Sequence, residues 1–176
     1  INANKAFNND GGKVMSTAKT ARVTAANINN SGGQIVQFGD NTLALSGLVN
    51  NDNKGLIQSE SNLEINSQGG LTNSDGTISA NGIITLNLNA PQAQRSGVQR
   101  ATSSAQRVVN NASGSIYSAQ GLTIDGGSIS NLNGSLQTYG NLTLNLDTYV
   151  HQDVNALNAQ GVLTINTNSL TLNDDL

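Results

Sequence analysis

Apolar residues recur along this chain with two nested periods, one of about 21 residues and one of two. The long period is marked by an apolar residue that opens each unit: Phe7, Ile28, Val49, Leu71, Val109, Ile129 and Val150. Successive openers stand 21, 21, 22, 38, 20 and 21 residues apart, so one unit carries an insertion of about 17 residues. A second apolar position follows each opener: Val14, Ile35, Ile57, Ile78, Ile116, Leu136 and Leu157. Then comes the short period, as pairs two residues apart: Leu63 and Ile65, Ile84 and Leu86, Leu122 and Ile124, Leu142 and Leu144, Leu163 and Ile165. In the second unit the matching pair reads as Leu43 and Leu45, two residues farther along. The first unit offers only Val23 and Ala25, beside Lys19 and Arg22.

Alternation with period two predicts strands with one buried face. A unit of this length holds three short strands and three turns, which is too short for a strand–helix–strand crossover. One coil cannot bury its own inner face, whereas stacked coils share a continuous core. The pattern therefore predicts an all-β, right-handed parallel β-helix of about seven coils with one extra-helical insertion at residues 91–107. Residues 1–176 form a single repeat segment. At about 4.8 Å per coil, seven coils make a rod of roughly 34 Å.

The polar positions are as periodic as the apolar ones. Two residues after each opener stands Asn: Asn9, Asn30, Asn51, Asn73, Asn111 and Asn131, with Gln152 in the seventh unit. Three or four residues later comes Gly: Gly12, Gly33, Gly55, Gly76, Gly114 and Gly134, with Asn155 in the seventh. Both residue types tolerate the left-handed backbone of a tight corner. Asn at one position in successive coils can also stack into a structural ladder of side-chain amides. Corner amides inside the coil are then paired rather than orphaned.

Composition narrows the reading further. Charged residues make up 11% and aromatic residues 3%, with 28 Asn, 19 Gly, one Pro and no Cys or Trp. Low charge with abundant Asn also suits a disordered, prion-like tract; the strict period argues for an ordered repeat instead. Without Cys there are no disulfides and no thiolate metal sites. A net charge of −3 gives no basic face for nucleic acid. No apolar run approaches the roughly 18 residues of a spanning helix. Residues 1–7 lack the pattern of a signal peptide. The chain starts without Met and ends in mid-pattern, as expected of a fragment of something longer.

Segments such as INNSGGQI, LTNSDGTISANG, VNNASGSIYSAQGLTI and ISNLNGSLQTYGNLTLNL resemble the haemagglutinin repeats of filamentous haemagglutinins and of contact-dependent growth inhibition exoproteins. The resemblance covers the chain apart from residues 91–107. It implies a filament displayed on the surface of a Gram-negative bacterium and exported by two-partner secretion through an outer-membrane transporter. On this reading the chain is a stalk segment of a secreted adhesin or toxin-delivery protein, with a receptor or glycan on a target cell as an implied partner. Features of the family's N-terminal secretion domain are not seen. The lack of Cys suits passage through the transporter as an unfolded chain.

Candidate chemistry is sparse. The insertion PQAQRSGVQRATSSAQR holds Arg95, Arg100 and Arg107 and no acid. Arg presents a planar fork that binds carboxylates bidentately, so these three are the candidate partner-binding residues. The bland alternative is a tolerated surface loop, because insertions there cost little. Tyr149, His151 and Asp153 lie two residues apart and on one strand would share a face, where a His–Asp pair could be a proton shuttle or half a metal site. A polar outer face without a site is the simpler expectation.

Glu60 and Glu64 flank one strand, and a carboxylate pair is what a glycosidase needs. The remaining acids fall at scattered offsets, so a carbohydrate-active β-helix enzyme stays the alternative and a non-enzyme the expectation. No cofactor or metal is expected, and no calcium-binding GGxGxD repeat, phosphate-binding loop or nucleophile elbow occurs. The sequons at Asn29 and Asn141 are expected by chance among so many Asn. Phe38, Tyr117 and Tyr139 read as plugs of loose spots in the wall or as outward sugar platforms, the former preferred. Bare strand edges at the two ends predict end-to-end self-association.

Overall fold

The computed structural model describes residues 1–88, 107–151 and 157–173, and all regular structure among them is β. Each coil passes through three parallel sheets in turn. The first contains Ala6–Asn8, Asn27–Asn29, Val49–Asn50, Leu71–Thr72, Val108–Asn110 and Ser128–Ser130. The second contains Lys13–Ser16, Gln34–Gln37, Leu56–Ser59, Thr77–Ala80, Ser115–Ser118, Ser135–Thr138 and Leu157–Ala159. The third has the longest strands: Thr20–Ala25, Asp40–Leu45, Leu63–Ser67, Ile83–Asn87, Gly121–Gly126, Asn141–His151 and Leu163–Leu172. The chain is a parallel β-solenoid of about seven turns.

Register turns the sequence period into columns. Phe7, Ile28, Val49, Leu71, Val109 and Ile129 pair in succession in the first sheet. Val14, Ile35, Ile57, Ile78, Ile116, Leu136 and Leu157 do so in the second. Val23, Leu43, Ile65, Leu86, Ile124, Leu144 and Ile165 form a column of the third. These columns meet in one apolar core that runs the length of the rod. The pairing Leu71↔Val109 closes the ladder across the 38-residue step, so the register is kept across it.

Two register assignments made from the pattern are corrected. In the second coil Asn41 pairs with Leu63 and Leu43 with Ile65, so the pair matching the other coils is Asn41 and Leu43, not Leu43 and Leu45. A buried Asn holds an apolar place, and the coil is not lengthened there. In the seventh coil the inward residue is Tyr149, 4% exposed, whereas Val150 is 44% exposed. The backbone amide of Thr148 donates to the Gly127 carbonyl (3.0 Å), which sets Tyr149 above Ile129. Here the third-sheet strand Asn141–His151 continues without a break into the first-sheet position. That continuity is why the first sheet has one strand fewer.

The corners also differ from expectation in detail. Positive φ occurs at Gly11, Gly32, Asn53, Lys54, Asp75, Ser113 and Asn133, immediately before the recurrent Gly in most coils, and not at the ladder Asn. The recurrent Gly is needed for space. A Cβ on Gly76 would lie 2.6 Å from Asn73 Oδ1 and overlap the Asn51 carbonyl oxygen. Close approach of two coils at the amide column thus excludes any side chain.

Candidate functional site

The best-ordered polar feature is the inner Asn column. Asn9 Nδ2 donates to Asn30 Oδ1 (2.6 Å), Asn30 to Asn51, Asn51 to Asn73, Asn73 to Asn111 and Asn111 to Asn131 (2.7 Å each). Each amide also donates to the carbonyl of its own corner Gly, as from Asn51 to Gly55 (3.0 Å). A third acceptor comes from the next coil, such as Leu56 O for Asn30 (3.0 Å). At another corner, buried Ser hydroxyls do the same work. Ser59 Oγ lies within donating distance of Gly39 O (2.6 Å) and Asn62 O (2.9 Å), and Ser118 Oγ of Gly82 O and Gly121 O (2.7 Å each), one proton serving either carbonyl. Small side chains suit these places because the wall turns sharply there.

Among the insertion residues, Arg107 is described and Arg95 and Arg100 lie outside the described residues. Arg107 is ion-paired with Asp147 on the neighbouring wall, so its guanidinium pins the end of the insertion to the rod. Close by is a shallow depression of about 530 Å³, lined by Gly126, Asn145, Asp147, Asn166, Thr167 and Asn168 among others. It is open to solvent and mostly polar.

Tyr149 and His151 share a face, but that face is the interior, which corrects the expected polar outer surface. Both are buried, and the Tyr149 hydroxyl lies 3.0 Å from His151 Nδ1. Burial pushes the Tyr149 phenol up to about 12. His151 stands two residues after the inward Tyr149 and so occupies the ladder position expected for Gln152. Its Nε2 is buried with no hydrogen-bond partner among the described residues. Asp153 and Gln152 lie outside the described residues.

The carboxylates do not converge. Glu60 accepts from Gln58 Nε2 (2.7 Å) and Asn81 Nδ2 (2.5 Å), while Glu64 is reached by Thr42 Oγ1 at 3.5 Å. Asp40 accepts from Ser61 Oγ (2.6 Å), from the Asn62 backbone amide (3.1 Å) and from Asn62 Nδ2 (3.1 Å). The Ser61 bond foremost, then the Asn62 backbone amide, hold its carboxyl below the usual carboxylate range. Among the described residues no group of three or more His, Asp or Glu is placed to hold a metal ion. Phe38 and Tyr139 are 51% and 53% exposed, and Tyr117 meets Tyr139 edge-on at 5.8 Å. These rings lie on the outside of the wall rather than plugging it.

Between the inward residues of the third sheet, the outward residues also form columns. Thr85, Thr123, Thr143 and Thr164 pair in succession, preceded by Thr42 and Glu64. Two residues along, Asn66, Asn87, Asp125, Asn145 and Asn166 do the same. Asn145 Nδ2 donates to Asp125 Oδ1 (2.5 Å) and Asn166 Nδ2 to Asn145 Oδ1 (2.7 Å). The sequence signal is the triplet Thr-apolar-Asx, present as Thr85–Asn87, Thr123–Asp125, Thr143–Asn145 and Thr164–Asn166.

The fold and these columns define a repeat solenoid with patterned inner and outer polar ladders. Comparison of the chain with protein-family models, with curated proteins and with solved structures finds no match.

Proposed function

We propose that this chain is a segment of the shaft of a secreted, cell-surface filament of a Gram-negative bacterium, an adhesin or a contact-dependent toxin-delivery protein. The reading rests on the haemagglutinin-like repeats and on one structural observation, the unbroken hydrogen-bonded Asn column through six coils. A column of paired amides resists shear between coils, because sliding one coil unpairs several buried groups at once. Such a rod keeps its length and holds what it carries away from the membrane. The insertion, whose last residue Arg107 is ion-paired with Asp147, is the element we assign to contact with a target cell.

The test is binding of the labelled chain to bacterial and epithelial cells, with and without residues 91–106. The expected result is binding that disappears on deletion while circular dichroism stays that of an intact β-solenoid. Equal binding by both forms would remove the insertion from the proposal. Absence of binding by the intact chain would reduce the role to that of a spacer.

A further inference from the structure

Parallel register makes the outward face of the third sheet a two-dimensional lattice. Along the rod axis, Thr85, Thr123, Thr143 and Thr164 repeat at the strand spacing of about 4.8 Å, and Asn87, Asp125, Asn145 and Asn166 repeat beside them. Across the face the two columns are two residues apart, about 6.7 Å. Four rungs therefore cover roughly 14 Å by 7 Å of the wall, and the shallow depression lined by Asn145 and Asn166 borders them.

The groups on this lattice are uniform. Thr is β-branched and stiff at χ1, so equivalent positions tend to present methyl and hydroxyl alike. The Asx column is oriented by its own hydrogen bonds, with Asn166 donating to Asn145 and Asn145 to Asp125. Among the eight side chains only Asp125 is ionisable, and its Oδ1 is engaged by Asn145. No aromatic ring stands on these rungs, which removes the stacking platform that a sugar chain uses. A neutral, preorganised array of hydroxyl, methyl and amide groups complements a neutral lattice of hydrogen-bonding partners. The two repeats lie near the orthogonal oxygen repeats on a prism face of hexagonal ice.

We propose that this face of the third sheet, built on Thr85, Thr123, Thr143 and Thr164 with the adjoining Asx column, binds ordered water at the surface of ice. Methyl groups between the hydroxyls hold water in a cage, and the hydroxyls and amides anchor that cage in register with the crystal. The column is broken toward the N-terminal end by Glu64, an exposed carboxylate that takes a Thr position between Thr42 and Thr85. A charge there keeps its own hydration shell and shortens the lattice. The proposal is independent of the shaft reading, because a rod of any role could carry such a face.

The experiment measures thermal hysteresis and partition into slowly growing ice for the 176-residue chain, for the double variant Thr123→Tyr/Thr143→Tyr and for Glu64→Thr. Circular dichroism and melting temperature first establish that each protein is folded. The expected result is faceted ice and uptake into ice by the wild type, loss of both in the double variant, and a larger hysteresis for Glu64→Thr. Exclusion of the folded wild type from ice would overturn the proposal. So would a hysteresis that survives the double substitution. Retention on cellulose or chitin that the double variant loses, without any uptake into ice, would assign the face to a neutral polysaccharide and equally overturn it.

Discussion

At the scale of single residues, the corner is governed by space more than by backbone conformation. Gly76→Ala sets a methyl group against Asn73 Oδ1 and the Asn51 carbonyl, and should destabilise the fold by about 1–3 kcal/mol, the usual cost of overpacking. Urea unfolding with an unchanged m-value would measure it. Asn41 presents the opposite case: its Nδ2 is buried without a hydrogen-bond partner, in a column that is otherwise Leu and Ile from Leu63 onward. Asn41→Leu should raise stability by about 1 kcal/mol in the same assay, because it removes an unsatisfied group of similar size. Tyr149 gives a pH effect of definite sign. Its phenol titrates at about 12 when folded and near 10 when unfolded. Between those values the unfolded chain has lost the proton and the folded chain keeps it, so stability is full below about 10 and falls as pH rises toward 12. Alkaline unfolding of Tyr149→Phe should lack this slope. Of these features the Asn and Gly positions were legible in the sequence, since each recurs at a constant offset from an apolar opener. Asn41 was not, because a search for apolar pairs slides past a polar residue to the nearest Leu–x–Leu. Tyr149 was missed for a related reason: it adjoins Val150, and hydropathy alone cannot say which of two apolar neighbours faces inward.

At the scale of the elements, the third sheet does two tasks with one alternation. Its inward residues build the core, and its outward residues repeat as strictly. Hydrophobic periodicity exposes the first set and passes over the second, although Thr–Ile–Asp at 123–125 and Thr–Leu–Asn at 143–145 stand in plain view. A reading that asks what lies between the apolar positions would have found the outer columns. The strand Asn141–His151 shows what the period alone could not predict. In this coil the strand is unbroken from the third sheet to the first, carrying Tyr149 and His151 into places held elsewhere by Ile and Asn. The insertion was legible as an interruption of the period, and the continuous pairing from Leu71 to Val109 explains why. Parallel strands care only that their ends meet, and a long connection adds slowly to the closure cost.

At the scale of the molecule, both ends present unpaired strands and incomplete core. Leu163, Leu170 and Leu172 stack above Leu142, Tyr149 and His151 but are 41%, 49% and 48% exposed. At the other end Ile1 and Met15 are exposed and Phe7 is only half-buried. Residues 1–25 hold four cations, Lys5, Lys13, Lys19 and Arg22, against Asp10, a sum of +3 in a chain of −3, so the remainder carries −6. Residues 141–176 hold Asp147, Asp153, Asp174 and Asp175 and no Lys or Arg, a sum of −4. Opposite charge in the first and last stretches of the chain favours head-to-tail contact of copies, and open edges supply the hydrogen bonds. Light scattering of the 176-residue chain should show mass rising with concentration and falling with added salt. Leu170→Lys with Leu172→Lys should hold it monomeric. A wild type that stays monomeric at high concentration would count against this association.

Because each turn is joined by pairing only to the turn before and the turn after, the rod has no single unit that opens all at once. It should melt as a zipper does, with fraying fronts that travel inward from the ends. Amide hydrogen exchange would then rank the turns by their distance from the nearer end, slowest around Ile57, Ile78 and Ile116 and fastest at Ala6–Asn8 and Leu163–Leu172. Tension applied along such a rod would be released one turn at a time, as a series of similar steps with one longer step for the 38-residue turn, rather than one break.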